Sequence, residues 1–160
     1  MVLDSFCGTG ESTKILSKTY SEYLVVGIDK SSHRLGKHEK KELTNYLLLH
    51  DNCESIWEYL VERGIKVDFH YIFYPNPWPK AKHLKRRIYG HPSFSSLLQL
   101  GGILEVRSNW DCYIEEFGIS LFIAGVYGVV SALPENTPIS PFERKFQKSG
   151  HVLWKYKGKL

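Results

Sequence analysis

The stretch Val2-Leu3-Asp4-Ser5-Phe6-Cys7-Gly8-Thr9-Gly10 reads as a short apolar run that stops at a glycine turn, with a helical segment following over 11–18. Glycine lets the backbone turn sharply and approach a ligand closely, so strand, turn and helix open an alternating α/β chain. The alternation continues outward from there. Leu24-Val25-Val26-Gly27-Ile28 is a buried-strand run ending at Asp29. Residues 31–43 read as a polar helix, and 46–49 as a third strand before His50-Asp51. Residues 53–63 carry Ile56, Tyr59 and Leu60 at helical spacing until Gly64 stops them. Residues 67–74 form a fourth strand, after which Pro75, Pro77 and Pro79 exclude regular structure. A helix over 92–100, a strand over 103–106 and an amphipathic helix over 110–124 follow. Residues 126–131 and 151–156 are the last strands, with a loop over 133–141 and no full helix between them. This order predicts a three-layer α/β sandwich, its sheet mostly parallel with an antiparallel edge pair at the C-terminal end. In such sheets ligands sit at the carboxyl ends of the strands, where the glycine turn, Asp29, Asp51, Asn76 and Asn109 all fall.

The 160 residues set the scale of one domain over 1–160, with enough chain to bury about 70% of its surface. A 42% hydrophobic and 24% charged composition excludes disordered and fibrous classes. No apolar run approaches the ~20 residues of a membrane span, so no membrane partner is expected. Cys7, Cys53 and Cys112 are odd in number and widely spaced, which suits a reducing cytosol and forms no metal pattern. The net charge of +4 is unevenly divided. Residues 69–104 carry Lys80, Lys82, Lys85, Arg86 and Arg87 with no acid, and residues 144–160 carry six more bases with none. Together those segments hold +11, leaving −7 for the remainder. Such asymmetry points to a polyanionic partner.

The turn at Asp4, Gly8 and Gly10 lacks the third small residue of a dinucleotide fingerprint, since Thr13 stands there. Asp29, 19 residues after Gly10, ends a strand where a carboxylate can accept from ribose hydroxyls. Asp51 ends the next strand, near where an adenine would lie. A nucleoside cofactor without a pyrophosphate fits these points better than a dinucleotide. The alternative is a tight turn with two aspartates that merely cap helices.

Asp4 to Gly10 with Asp29 and Asp51 resembles the S-adenosyl-L-methionine site of class I methyltransferases. Tyr74-Pro75-Asn76-Pro77-Trp78-Pro79-Lys80, with His83 and Lys85-Arg86-Arg87, resembles the Pro-Asp-Pro-Trp signature and basic run of the bacterial tRNA (guanine-N7-)-methyltransferases. Ser108-Asn109-Trp110 resembles that family's Thr-Asp-Trp. Ser140-Pro141-Phe142-Glu143-Arg144, then Ser149-Gly150-His151, resembles its Thr-Lys-Phe-Glu and Leu-Gly-His segments. The resemblance runs through essentially the whole chain. It implies a Rossmann-like class I fold, S-adenosyl-L-methionine as cofactor, tRNA as partner in the cytoplasm, and methyl transfer to N7 of a guanine in the variable region. It leaves monomer and homodimer both open. It assigns Asp4, Gly8, Gly10, Asp29, Asp51 and Asn76 to the cofactor. Lys80, Lys85, Arg86, Arg87, Asn109, Ser140 and Glu143 go to the substrate. Asn76, by its place in the motif, and Glu143 are the expected catalytic residues.

The chain departs from the family in four places. Asn76 and Asn109 replace aspartates, so Glu143 becomes the carboxylate expected to face the charge developing on the base. Phe6 stands where the turn's first glycine belongs, and would crowd the methionine end of the cofactor or pack beneath it. Family members also carry some tens of residues before this turn, so an N-terminal extension is expected to be missing. Trp78, Trp110 and Tyr89 are candidates to stack on an extruded base. Asn76-Pro77-Trp78 is also distantly similar to the Asn-Pro-Pro-aromatic loop of amino-methyltransferases, which would make an exocyclic amine or another nucleic acid the target. The two asparagines, Phe6 and the short start equally suit an RNA-binding relative that has lost catalysis.

Overall fold

The computed structural model describes residues 1–38, 45–134 and 138–160. β1 (Val2–Ser5), β2 (Val25–Asp29), β3 (Tyr46–His50), β4 (Phe69–Phe73), β5 (Ile103–Ser108), β6 (Gly128–Ala132) and β7 (Trp154–Lys159) form one sheet in the order β3-β2-β1-β4-β5-β7-β6. The first five strands are parallel, with Val2 opposite both Val25 and Phe69. β7 runs antiparallel to β5 and β6, which supplies the expected antiparallel pair. β1 and β2 are buried along their whole length, as strands covered on both faces must be, and carry their polar residues at their carboxyl ends.

The helices are α1 (Glu11–Thr19), α2 (Ser32–Leu35), α3 (Cys53–Glu62), α4 (Phe94–Leu100), α5 (Asp111–Ile123) and α6 (Pro141–Lys148), with short 3-10 turns at Ala81–Arg86 and Ile88–Gly90. Strand alternation divides the core. Leu3, Ile28, Ile72, Leu104 and Val106 pack with Trp57 of α3, Leu97 of α4 and Phe117 of α5 on one face. Val2, Val25, Tyr71 and Phe73 pack with Leu16 of α1 on the other. Gly27 is where α1 crosses β2 closely: a Cβ there would meet Thr13 Oγ1 at 2.3 Å.

Three boundaries differ from the sequence reading. The expected helix over 31–43 is the short α2, and residues 39–44 lie outside the described residues. A helix, α6, stands in the segment read as carrying none. Ser140 caps it by accepting from the Glu143 N–H at 3.2 Å, and Pro141 begins it, where a missing N–H costs nothing. β7 lies at 154–159 and not 151–156, because Trp154, Tyr156 and Gly158 alternate with Lys155, Lys157 and Lys159, so one face packs while the other stays polar.

Candidate cofactor and base-binding site

The glycine turn is held from beneath by two carboxylates. Asp4 is fully buried and its Oδ2 accepts from Ser12 Oγ and Thr13 Oγ1, both at 2.7 Å. Its Oδ1 is buried without a partner, and burial pushes the carboxyl up to about 6. Asp29, also buried, accepts from the Gly8 N–H at 2.9 Å and the Ser31 N–H at 2.8 Å. Arg34 pairs with Asp29 Oδ1 at 2.9 Å. A carboxylate offers about four acceptor positions, so these contacts leave room for a ribose hydroxyl. Gly8 has φ +62 with open space where a side chain would project, and Gly10 has φ +75 at the start of α1. Bare backbone beside a buried carboxylate fits a nucleoside cofactor, which offers hydroxyl donors and needs close approach.

Phe6 adopts φ +63, a left-handed conformation that favours the glycine it replaces. Its N–H donates to Cys53 Sγ at 3.2 Å, and its ring meets Trp57 edge-on at 5.9 Å. Beneath it, Trp57 Nε1 donates to Ser5 Oγ at 3.0 Å, and Ser5 Oγ lies 2.9 Å from His70 Nε2. His70 is fully buried, and burial lowers its pKa to about 3.

A cavity of about 420 Å³ opens at the carboxyl ends of the strands. Phe6 from the first turn, Asn76 and Trp78 from the proline loop, Asn109 after β5, and Phe142 and Phe146 of α6 all line it. Asn76 Oδ1 accepts from the Trp78 N–H at 3.2 Å, which leaves its amide N–H groups for a ligand. Trp78 is half-buried, with the exposed Arg86 guanidinium 4.9 Å above its ring. Trp78 is therefore the expected stacking residue that reaches the cavity. Trp110 lies beneath Arg87, and the Tyr89 hydroxyl is bound by Arg87 and Glu116. Asp51 is exposed after β3, where its Oδ1 accepts from the Asn52 N–H, and it does not line this cavity.

Three expected roles change with the geometry. Glu143 is fully buried on α6, and both its carboxylate oxygens accept from Arg107 Nη1 at 3.1 Å. Arg107 also reaches Glu105 at 2.7 Å. The Glu143 charge is thus already neutralised and is not free to face a developing cation. Arg87 is buried and donates to the carbonyls of Trp78 at 3.2 Å and Pro79 at 3.3 Å, and to Tyr89 and Glu116. It clamps the proline loop and is not available to phosphate, whereas Lys80, Lys85 and Arg86 are exposed. Ser140 spends its hydroxyl oxygen on capping α6.

Sequence reasoning passed over Lys30, Arg34 and Glu54, which also line the cavity. Glu54 lies in the first turn of α3, directly behind the cap residue Asn52, and is the one carboxylate among the described residues lining it. Its position just beyond a strand end was the available signal. Tyr74, at φ +53, has a buried hydroxyl with no partner; burial and then the nearby Glu143 charge push its pKa far up.

Known proteins of similar sequence and fold bear on this arrangement. A tRNA (guanine-N(7)-)-methyltransferase of Photobacterium profundum is 28% identical over 98% of this chain and 69% of its own length. One of Salmonella typhi is 28% identical over 92% of this chain and 66% of its own. The chain thus spans about two thirds of the length of these relatives. Among solved structures, an antibiotic-related methyltransferase superposes with a TM-score of 0.71 at 17% identity, over 99% of this chain and 87% of that one. A 16S rRNA (adenine(1408)-N(1))-methyltransferase of Catenulisporales acidiphilia gives 0.67 at 17% identity, over 99% and 84%. These two establish the class I methyltransferase fold. The family described as "Putative methyltransferase" matches residues 1–156, and the chain belongs to this family.

Proposed function

We propose that residues 1–160 act as one methyltransferase domain that moves the methyl group of S-adenosyl-L-methionine to N7 of a guanine in tRNA, in the variable region, and that it works in the cytoplasm. The observation that carries this reading is the convergence of three distant segments on one cavity: Asn76 with Trp78, Asn109, and Phe142 with Phe146. These are the segments that resemble the tRNA (guanine-N7-)-methyltransferases, and the relatives just described bear that name. No helix among the described residues is long and apolar enough to cross a membrane.

The bound cofactor supplies an electrophilic methyl on a sulfonium. Guanine N7 has a free lone pair and could accept that methyl without deprotonation, leaving positive charge on the base. No proton moves, and the protein's task is alignment. Asp29 and the bare backbone at Gly8 and Gly10 hold the nucleoside end. Asn76 and Asn109 orient the base through amide contacts, with Trp78 as its stacking surface. Arg86, Lys80 and Lys85 contact phosphates. Glu143 acts through Arg107 to seat α6 and its two phenylalanines.

The test is incubation with labelled S-adenosyl-L-methionine and bulk tRNA, then mapping of 7-methylguanosine by borohydride–aniline cleavage. Cleavage at a variable-region guanine is expected. Absence of label from a folded protein sinks the reading. A second reading, an RNA-binding relative without catalysis, is favoured by one observation: Asn76 and Asn109 are uncharged and Glu143 is neutralised by Arg107. Calorimetry separates the two, because a relative without catalysis need not bind S-adenosyl-L-methionine.

A further inference from the structure

The chain is uncharged from Phe117 to Pro134, 18 consecutive residues in a protein that is 24% charged as a whole. Only Phe117 and Leu121 of this stretch are fully buried in the core. The stretch forms the end of α5 and the edge strand β6, and it leaves Ile119 58%, Phe122 61%, Ile123 79%, Tyr127 73% and Val129 66% exposed. Phe122 and Tyr127 pack edge-to-face at 5.5 Å and, with Ile119 and Val130, border an apolar concavity of about 340 Å³. At the base of this concavity the Tyr156 hydroxyl is buried without a partner. β6 pairs with β7 alone, so its outer edge has no strand partner among the described residues. Natural edge strands are usually guarded by lysine or proline; β6 reads Gly-Val-Val-Ser-Ala and carries neither.

We propose that two copies of this chain associate through the outer edge of β6, about a two-fold axis near Val130, so that the sheet continues from one copy into the other. Three arguments select a second copy as the occupant. An antiparallel strand paired with its own two-fold mate satisfies the free backbone groups of both at once. The exposed fractions of the large apolar side chains sum to roughly 600 Å², close to the ~800 Å² per partner of a standard interface. Charge also permits it. Two chains of net +4 repel, but Lys155 and Lys157 lie one strand inward on β7. Across the joint the lysine rows of the two copies would stand three strand spacings apart, about 14 Å, beyond the ~8 Å Debye length at physiological salt. Four strands, β4, β5, β7 and β6, lie between β1 and the joint.

Sedimentation equilibrium of the full chain, from low to high micromolar concentration, tests this. The expected species has twice the 18.5 kDa chain mass. Val129→Lys and, separately, Phe122→Lys place a charge at an exposed position of the joint and are expected to weaken association at least tenfold with an unchanged circular dichroism spectrum. A native chain that stays at single mass throughout overturns the proposal, as does a dimer that both folded variants leave intact. Should either variant fail to fold, hydrogen exchange of the native chain decides. Amides of residues 128–132 that gain protection as concentration rises support the joint, and amides indifferent to concentration overturn it.

Discussion

Arg107 on β5 and Glu143 on α6 form a buried ion pair, with both carboxylate oxygens 3.1 Å from one guanidinium nitrogen. Arg107 serves Glu105 as well, and Lys157 stands 3.8 Å from Glu105. Two acids and two bases therefore balance across β5, β7 and α6. This places the segment that resembles the family's Thr-Lys-Phe-Glu in a structural role.

Breaking that pair from one side leaves an uncompensated buried charge. Arg107→Leu is expected to destabilise the fold by about 3–5 kcal/mol, the usual cost of stranding one partner. Replacing Arg107 and Glu143 together by leucine should recover much of that loss. Urea denaturation of Arg107→Leu, Glu143→Leu and the double variant measures the coupling.

Two buried groups act on acid stability in opposite directions. The His70 pKa is lowered to about 3 from 6.5, so the unfolded chain takes up a proton that the fold refuses. The stability linked to His70 is complete above pH 6.5 and is lost as pH falls towards 3. Asp4 is raised to about 6 from 3.8, so the fold binds its proton first and gains stability as pH falls through 6. Between pH 6 and pH 4 the two nearly cancel, so the net loss left by the larger His70 displacement falls above pH 6 and below pH 4. His70→Gln should remove that loss and Asp4→Asn should extend it through the interval between, read as urea midpoints across the range.

Adjacent arginines should behave differently. Arg86→Ala is expected to weaken tRNA binding and to lower the slope of log affinity against log salt by about 0.7–0.9, one phosphate contact. Arg87→Ala should instead lower the melting temperature, because it removes the clamp on the proline loop. Equal salt slopes in the native chain and Arg86→Ala would place Arg86 off the nucleic-acid path.

Restoring a carboxylate should speed the chemical step. Asn76→Asp puts a negative charge at the cavity where positive charge develops on the base. Single-turnover methylation is expected to rise roughly tenfold, which corresponds to ~1.4 kcal/mol of transition-state stabilisation. An unchanged rate would mean that Asn76 only orients the base.

The parallel half of the fold was legible in the sequence because its signals are local. The apolar run before Asp29, the glycine turn and the three spaced prolines dictate strand, turn and loop wherever they occur. The convergence of Asn76 and Asn109 was legible for a related reason, since both follow strands that lie side by side. The start of α6 had a readable signal in Ser140-Pro141 followed by Glu143, but Pro141 read more simply as the end of a loop. No local signal distinguishes Arg87 from Arg86, or a free Glu143 from a paired one. Those outcomes depend on which side chain turns inward and what charge waits there. Only the tertiary structure set Arg107 opposite Glu143, 36 residues away, and only its energetics make that pair hold, because a buried charge persists when an opposite one is buried beside it.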